Sequence, residues 1–159
     1  MMDINLKGPR RVKQNGFSLI ELLIVVAIIL IIAAIAIPNF IHARMAANES
    51  SAASSIHAIN TSEIAYSSGN PTVGYSAALA DLGPSGGAYL DGVLTSGTKG
   101  GYSFTYVQDT SSTPSVAYTL NADPVTRGTT GQRSFFSNQL NVTHYNMNAV
   151  AVATDPVIQ

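Results

Sequence analysis

An uninterrupted apolar run from Leu22 to Ile37 dominates the hydrophobicity pattern of this chain. Together with the residues back to Phe17 it is long enough to span a bilayer, because about 20 helical residues rising 1.5 Å each cross the hydrocarbon core. A single carboxylate, Glu21, lies at the head of the run, four residues after Phe17. A charge at mid-bilayer costs about 2.5–3.5 kcal/mol. We therefore predict a transmembrane or assembly helix over residues 17–38 in which Glu21 needs a cationic partner.

The helical pattern continues beyond Pro38. This proline removes one backbone donor and clashes with the carbonyl of Ala34, so we expect a kink or local unwinding there. Beyond it, apolar residues recur at spacings of three, four or seven, as on one face of a helix. This stripe consists of Ile41, Met45, Ala52, Ile56, Ile59 and Tyr66. The predicted opposite face carries His42, Arg44, Glu49, Ser50, Ser54, His57 and Ser62. The pattern predicts an amphipathic continuation over residues 39–67, ended by Ser68-Gly69-Asn70-Pro71.

Alternating apolar and polar residues in the rest of the chain predict β-strands. The candidate strands span residues 102–106, 115–120, 133–137 and 142–145. The side chains expected to share one face within their strands are Tyr102, Phe104 and Tyr106 in the first, and Val116, Tyr118 and Leu120 in the second. One sheet face must pack on the amphipathic part of the helix. The predicted fold class is α+β, with a long N-terminal helix packed on a small antiparallel sheet of three to four strands in a globular domain over residues 68–159.

Three further segments of this domain have weaker patterns. Residues 76–82 predict a short helical turn, which Gly83-Pro84 ends. Residues 83–101 are rich in glycine and predict a loop. Residues 146–159 predict a frayed C-terminal tail.

Charge is distributed unevenly along the 159 residues, whose formal net charge is −1. One acid and four of the eight cations precede Phe17, and these cations are Lys7, Arg10, Arg11 and Lys13. Residues 1–16 are therefore predicted to be a basic leader held on the cytoplasmic side. The part from Phe17 onward carries four cations against eight acids, a net charge of −4. Its scattered cations do not predict nucleic-acid binding, and the lack of cysteine excludes a disulfide.

The stretch GFSLIELLIVVAIILIIAAIAIPNF, from Gly16 to Phe40, resembles the type III signal of type IV prepilins and pseudopilins. Four features carry the resemblance: a basic leader ending in Gly16, an aromatic residue at Phe17, an acid at Glu21, and a long aliphatic run. The resemblance covers about residues 7–40, and beyond them only the architecture is similar to that of type IV pilins. Many proteobacterial pilins close their C-terminal region with a disulfide. This chain, which has no cysteine, departs from that pattern.

The resemblance implies a major pilin-like structural subunit of a type IV pilus-like filament. Prepilin peptidase would cut between Gly16 and Phe17 and methylate the new amine of Phe17. The prepilin would cross the bacterial inner membrane once, and the pilus assembly machinery would extract it into a helical homo-oligomer. Glu21 could pair with its own amine one turn away or with that of an incoming subunit, and the resemblance favours the second. Pro38 would act in assembly as a bend. No cofactor is implied.

Two other interpretations stay open. A type II secretion pseudopilin carries the same signal and forms a periplasmic pseudopilus rather than a surface fibre. Alternatively, an ordinary secretory signal cut at Ala34-Ile35-Ala36, or an uncleaved anchor, would make the chain an exported or membrane-anchored binding domain. The mature N-terminus separates these cases, since it would be methylated Phe17 in the first class and Ile37 or Met1 in the second. Adhesion, motility, DNA uptake and secretion are each compatible with the sequence.

The sequence carries no pattern that predicts a catalytic or metal site, so an enzyme is not predicted. Its three histidines, which lack the spacing of metal ligands, are His42, His57 and His144. The acids considered for a calcium site, which needs several converging oxygens, are scattered: Asp81, Asp91, Asp109 and Asp123. Short glycosylation sequons begin at Asn48, Asn60 and Asn141.

Overall fold

The structure, a computed structural model, describes residues 16–158. The basic leader predicted from the sequence lies, apart from Gly16, outside the described residues. The helices and strands in chain order are α1 (Leu19–Gly69), a 3₁₀ helix (Leu79–Leu82), α2 (Gly92–Thr95), β1 (Thr98–Lys99), β2 (Tyr102–Gln108), β3 (Tyr118–Pro124), β4 (Ser134–Asn138) and β5 (His144–Asn146). The chain divides into two compact units between Pro38 and Asn39.

Helix α1 is 51 residues long and includes Pro38. It is helical on both sides of the proline, so the local unwinding considered from the sequence does not occur, while a bend stays a prediction. The helix ends at Gly69, where Asn70 donates both its backbone N–H and its side-chain amide to the carbonyl of Tyr66, each at 2.9 Å. These bonds satisfy a carbonyl that would otherwise lack an intrahelical partner.

The sheet has five antiparallel strands in the order β1-β2-β3-β4-β5, so each strand pairs with its neighbour in the sequence. The α+β class is thus confirmed, with five strands instead of the predicted three to four. The additional strand β1 and helix α2 both lie within residues 83–101, for which a loop was predicted. Helix α2 forms there because the Asp91 carboxylate caps it, accepting the N–H of Leu94 at 2.7 Å.

The apolar stripe of α1 and one face of the sheet form a common core. The stripe is confirmed at its centre, where Ala52, Ile56 and Ile59 are fully buried, whereas Ile41 is 39% exposed. The sheet residues buried in this core are Tyr102, Phe104, Tyr118, Leu120, Ala122 and Phe135. The predicted shared face of Tyr102 and Phe104 is therefore the face that packs with α1.

The prediction that Val116 shares a strand face with Tyr118 and Leu120 is wrong, because Val116 precedes β3 and is 63% exposed, whereas the other two are buried. Strand β3 begins only at Tyr118, since Ser115 pairs instead with the loop after α1. Ser115 donates its N–H to Val73 at 2.9 Å and accepts the N–H of Tyr75 at 3.2 Å. This close approach of the two backbone segments requires Gly74, whose φ is +82° and whose added Cβ would lie 2.0 Å from the Ser115 carbonyl oxygen.

Two other predictions are corrected by the packing of polar groups. Glu49 and Ser62, which were placed on the exposed face of the helix, are both buried. The C-terminal residues are not a frayed tail, because Ala151 is buried and Ile158 donates its N–H to Thr143 at 2.9 Å. In each case a hydrogen bond between residues distant in sequence, which periodicity does not reveal, decides the placement.

Candidate functional site

The head of α1 holds Glu21 by a contact within its own chain. Ser18 immediately precedes the helix, and its carbonyl accepts the N–H groups of Glu21 and Leu22 at 3.1 and 3.3 Å. The Glu21 carboxylate in turn accepts the backbone N–H of Ser18 at 2.9 Å. This return bond is one arm of a capping box, Ser-x-x-Glu, in which a carboxylate also meets the positive end of the helix dipole.

The side chains around Glu21 are apolar, and no part of the chain that the structure describes covers them. Phe17 is 83% exposed, and the large aliphatic side chains of the segment up to Ile37 are also exposed. An added Cβ at Gly16 would meet nothing within 4 Å among residues 16–158, its chain neighbour aside, so the backbone at the predicted cleavage point is open on that side. By length and composition, α1 is apolar enough to cross a membrane. The segment therefore presents an apolar surface that bears one carboxylate.

A second carboxylate of α1, Glu49, joins the helix to the start of β4. One oxygen accepts the backbone N–H groups of Gln132 and Arg133 at 2.8 and 3.1 Å, and the other accepts Arg133 Nε at 2.7 Å. Burial alone would raise the pKa of Glu49, but the Gln132 and Arg133 hydrogen bonds and the Arg133 charge outweigh it and hold this pKa below its ordinary value. Glu49 is thus charged, and both of its carboxylate oxygens accept hydrogen bonds from within the domain.

A third carboxylate, Glu63, is fully buried. It accepts the backbone N–H of Ser76 at 3.0 Å and also the hydroxyl of Ser76, and Tyr106 donates its hydroxyl to the Ser76 carbonyl at 2.9 Å. Burial raises the pKa of Glu63 above its ordinary value, against the lowering effect of the Ser76 hydrogen bonds. The described ion pairs, Lys99–Asp91 and Arg133–Glu49, do not involve Glu63. The protonated form of Glu63 is therefore favoured by folding.

One turn before Glu63, Asn60 supplies a second buried polar link between α1 and the sheet. Its side-chain oxygen accepts the hydroxyl of Tyr118 at 2.8 Å, and its amide donates to Ser137 Oγ at 2.8 Å and to Asn141 Oδ1 at 2.9 Å. Burial raises the pKa of Tyr118 well above its ordinary value, so its hydroxyl is a neutral donor. The Asn60 sequon therefore has its amide inside the domain, where it fixes the helix against the sheet.

The stability of the domain should depend on pH through Glu63. Because its pKa is raised in the folded state, its contribution is present below the unfolded value, near 4.5, and is lost as pH rises through the folded value. We expect the stability of the Glu63→Gln variant to improve relative to the natural chain as pH rises through this window. Thermal unfolding of the full chain in detergent, followed by near-UV circular dichroism, measures the difference.

Glu49→Gln is the matched control on the same helix. The pKa of Glu49 is lowered, so its contribution is present above the unfolded value and is lost as pH falls through the folded value. The two variants should therefore differ from the natural chain with opposite pH trends. A pH-independent difference for Glu63→Gln would contradict the assignment.

Residues 11–37 match the prokaryotic N-terminal methylation motif. The chain carries that motif. Gly16, Phe17 and Glu21 all lie within it, and Pro38 follows it directly. The motif is the signal by which the sequence resembles type IV prepilins, and this resemblance is confirmed.

Two curated relatives are similar to part of this chain. The type IV major pilin protein PilA of Myxococcus xanthus is 48% identical over 54 residues, which are 34% of this chain and 24% of that protein. The type IV wide pilus major component PilA4 of Thermus thermophilus is 44% identical over 70 residues, 43% of this chain and 53% of that protein. The chain thus spans between a quarter and about half of the length of these relatives. No solved structure matches it.

The structure brings together some of the predicted site residues and adds others that the sequence pattern did not predict. Gly16, Phe17 and Glu21 lie in one exposed apolar segment of the methylation motif. The Ser18–Glu21 contact was missed, although its signal, Ser-x-x-Glu before an apolar run, is present in the sequence. The buried Glu63 was also missed, and no local pattern marks it, because its partner Ser76 follows the end of α1.

Proposed function

We propose that the chain is a structural subunit, of the major pilin kind, of a type IV pilus-like filament. The observation that carries the proposal is the exposed apolar segment with its single carboxylate at Glu21, lying inside the matched methylation motif. No described residue covers this segment, which therefore needs lipid or other subunits around it. The names of both relatives, which describe major pilus components, support the same assignment.

In this proposal the chain begins as a single-pass protein of the bacterial inner membrane. Residues 1–16 are a cytoplasmic leader, residues 17–38 the membrane and assembly helix, residues 39–67 its amphipathic continuation, and residues 68–159 the globular domain. Prepilin peptidase cuts between Gly16 and Phe17 and methylates Phe17. The assembly machinery then moves the subunit into a helical homo-oligomer, where the apolar helix exchanges lipid for neighbouring helices and Pro38 lets it bend.

The contact at Glu21 gives this exchange a chemical basis. In the single chain the carboxylate is held by the N–H of its own Ser18. Cleavage after Gly16 creates an α-amine on Phe17, which is largely protonated near neutral pH, with a reference pKa of about 7.7–8.0. An incoming subunit offers this cation to Glu21, and the ammonium adds a full positive charge to its hydrogen bond, whereas the Ser18 N–H is an uncharged donor to the same carboxylate. The pairing would set the axial register, because a helix slipped by one turn leaves both charges alone.

Processing is tested by Gly16→Leu. The residue has no side chain and its backbone is open, so a protease can approach the peptide bond closely, which a leucine side chain would obstruct. We expect the uncleaved precursor to accumulate in the membrane fraction and surface fibres to be absent. Immunoblotting for the size shift, N-terminal sequencing and electron microscopy with antibody against the chain measure the three effects.

Leu19→Ala is a suitable control, since it alters another exposed residue of the same segment outside the cleavage point. Normal cleavage of Gly16→Leu at Phe17 would contradict the peptidase assignment. A mature chain that begins at Ile37 would instead favour an exported domain. Correct cleavage of the natural chain without surface fibres would favour a periplasmic pseudopilus.

A further inference from the structure

The C-terminal segment Met147–Ile158, here called the strap, is held against the domain without a disulfide cross-link. The chain has no cysteine, and the strap contains no strand of the five-stranded sheet. It nevertheless has a buried residue, Ala151, whose carbonyl accepts the side-chain amide of Asn121 in β3 at 2.9 Å. Specific side chains therefore hold this segment in place.

The end of the strap closes the free edge of β5. Tyr145 donates its N–H to Pro156, and Ile158 donates its N–H to Thr143, each at 2.9 Å, with Val157 opposite His144 in an antiparallel bridge. An uncovered edge strand presents unpaired N–H and C=O groups to which another chain can pair. Closure by the strap satisfies the edge groups at Tyr145 and Thr143.

Arg127 fixes the beginning of the strap. Its guanidinium donates to the carbonyls of Met147 and Ala149 at 2.8 and 3.1 Å, to Ser134 Oγ at 2.6 Å, and to the carbonyl of Gln132. All four acceptors are neutral, because three are backbone carbonyls and one is a hydroxyl. Arg127 takes part in neither of the ion pairs found within residues 16–158. The planar guanidinium has five N–H donors, enough for these four acceptors, whereas a lysine ammonium has three.

Asp155 fixes the other end of the strap. One carboxylate oxygen accepts the N–H of Val152 at 2.8 Å, and both lie 3.2 Å from the side-chain amide of Asn146 in β5. Its backbone carbonyl lies 2.6 Å from Nδ1 of His144. These contacts turn the strap back toward β5 directly before Pro156, which itself has no N–H to offer a further chain.

We propose that Arg127 and Asp155 form a two-point latch that keeps the strap closed, and that an open strap frees the β5 edge to pair with the same edge of a second copy. Antiparallel pairing of two identical edges is symmetric. The Tyr145 N–H of each copy would therefore donate to the Thr143 carbonyl of the other. The latch thus decides whether this edge is closed within the chain or available between chains. This device is independent of the assembly helix and of the proposed filament function.

Hydrogen exchange of the full chain in detergent micelles, read by mass spectrometry, tests the latch. Arg127→Gln and Asp155→Asn should each speed exchange in peptides covering residues 143–158 by about tenfold or more, as expected when hydrogen bonds to charged groups are lost. Peptides from β2 and β3 should keep their protection. Lys99→Gln, which breaks an exposed ion pair with Asp91, is the matched control and should leave residues 143–158 unchanged.

Native mass spectrometry over a range of protein concentrations tests the consequence of opening. Both latch variants should form more dimer than the natural chain, and crosslinks should join the β5 strands of the two copies. Unchanged exchange in residues 143–158 in both variants would overturn the latch. An equal rise throughout β2, β3 and β5 would also overturn it, because Arg127 and Asp155 would then support the whole domain. Faster exchange without more dimer would overturn the pairing between copies.

Discussion

Glu21→Ala is expected to insert into the membrane and to be cleaved normally, yet to yield almost no fibres. Without the carboxylate, the Phe17 ammonium of a neighbouring subunit is left unpaired among apolar helices. Breaking one partner of a buried pair costs about 3–5 kcal/mol, which is about a hundredfold or more in an association constant. Immunoblots of membrane and sheared-fibre fractions measure cleavage and assembly separately.

Glu21→Gln separates the two contacts that the carboxylate can make. Its amide oxygen can still accept the Ser18 N–H and preserve the cap, but it carries no charge for the neighbouring amine. We expect it to assemble nearly as poorly as Glu21→Ala. Wild-type fibre yield from Glu21→Gln together with failure of Glu21→Ala would mean that the cap matters and the ion pair does not. Wild-type yield and helical rise from both variants would remove Glu21 from assembly.

Phe104→Asp is expected to unfold the globular domain. Phe104 is 5% exposed and lies in the core shared by α1 and the sheet. Loss of the ring costs about 3–5 kcal/mol, and a buried carboxylate without a partner adds several more. Because whole domains are stable by only about 5–15 kcal/mol, the two losses together approach the total. The near-UV circular dichroism of the full chain in detergent should collapse, while the helical far-UV signal should largely persist.

Thr105→Asp is the matched control for this change. Thr105 is the next residue of β2, so its side chain points to the other face of the strand, and it is exposed. A surface charge there should alter stability by no more than about 0.5 kcal/mol. An unchanged melting temperature for Phe104→Asp, or equal damage from Thr105→Asp, would contradict the placement of this face in the core.

Periodicity alone predicted the elements whose side-chain pattern repeats over many residues. The apolar run from Leu22 to Ile37, the Ala52–Ile59 part of the stripe and the alternation in β2 are each local in sequence, so a single hydrophobic face is visible without the fold. The resemblance to prepilins likewise rests on residues that are close in sequence. These local features were sufficient to predict the α+β class and the apolar segment that bears Glu21.

The remaining features depend on contacts between distant parts of the chain. Glu49 is buried because Gln132 and Arg133, directly before β4, bind it, and no helical pattern predicts partners 83 and 84 residues away. Strand β3 begins at Tyr118 rather than at the predicted residue 115, because Ser115 pairs with the loop at Gly74. The C-terminal residues have a weak pattern because backbone groups and the side chains of Arg127 and Asp155, rather than a hydrophobic face, hold them.

The central claim, that this chain is cleaved after Gly16 and assembles through the segment that begins at Phe17, is tested most directly by mass spectrometry of the protein in sheared surface fibres. The account predicts that fibres contain this chain as their main component and that its first peptide begins at Phe17 carrying a methyl group on the α-amine. Recovery of the chain only from membranes or medium, beginning at Met1 or Ile37 and absent from fibres, would contradict it.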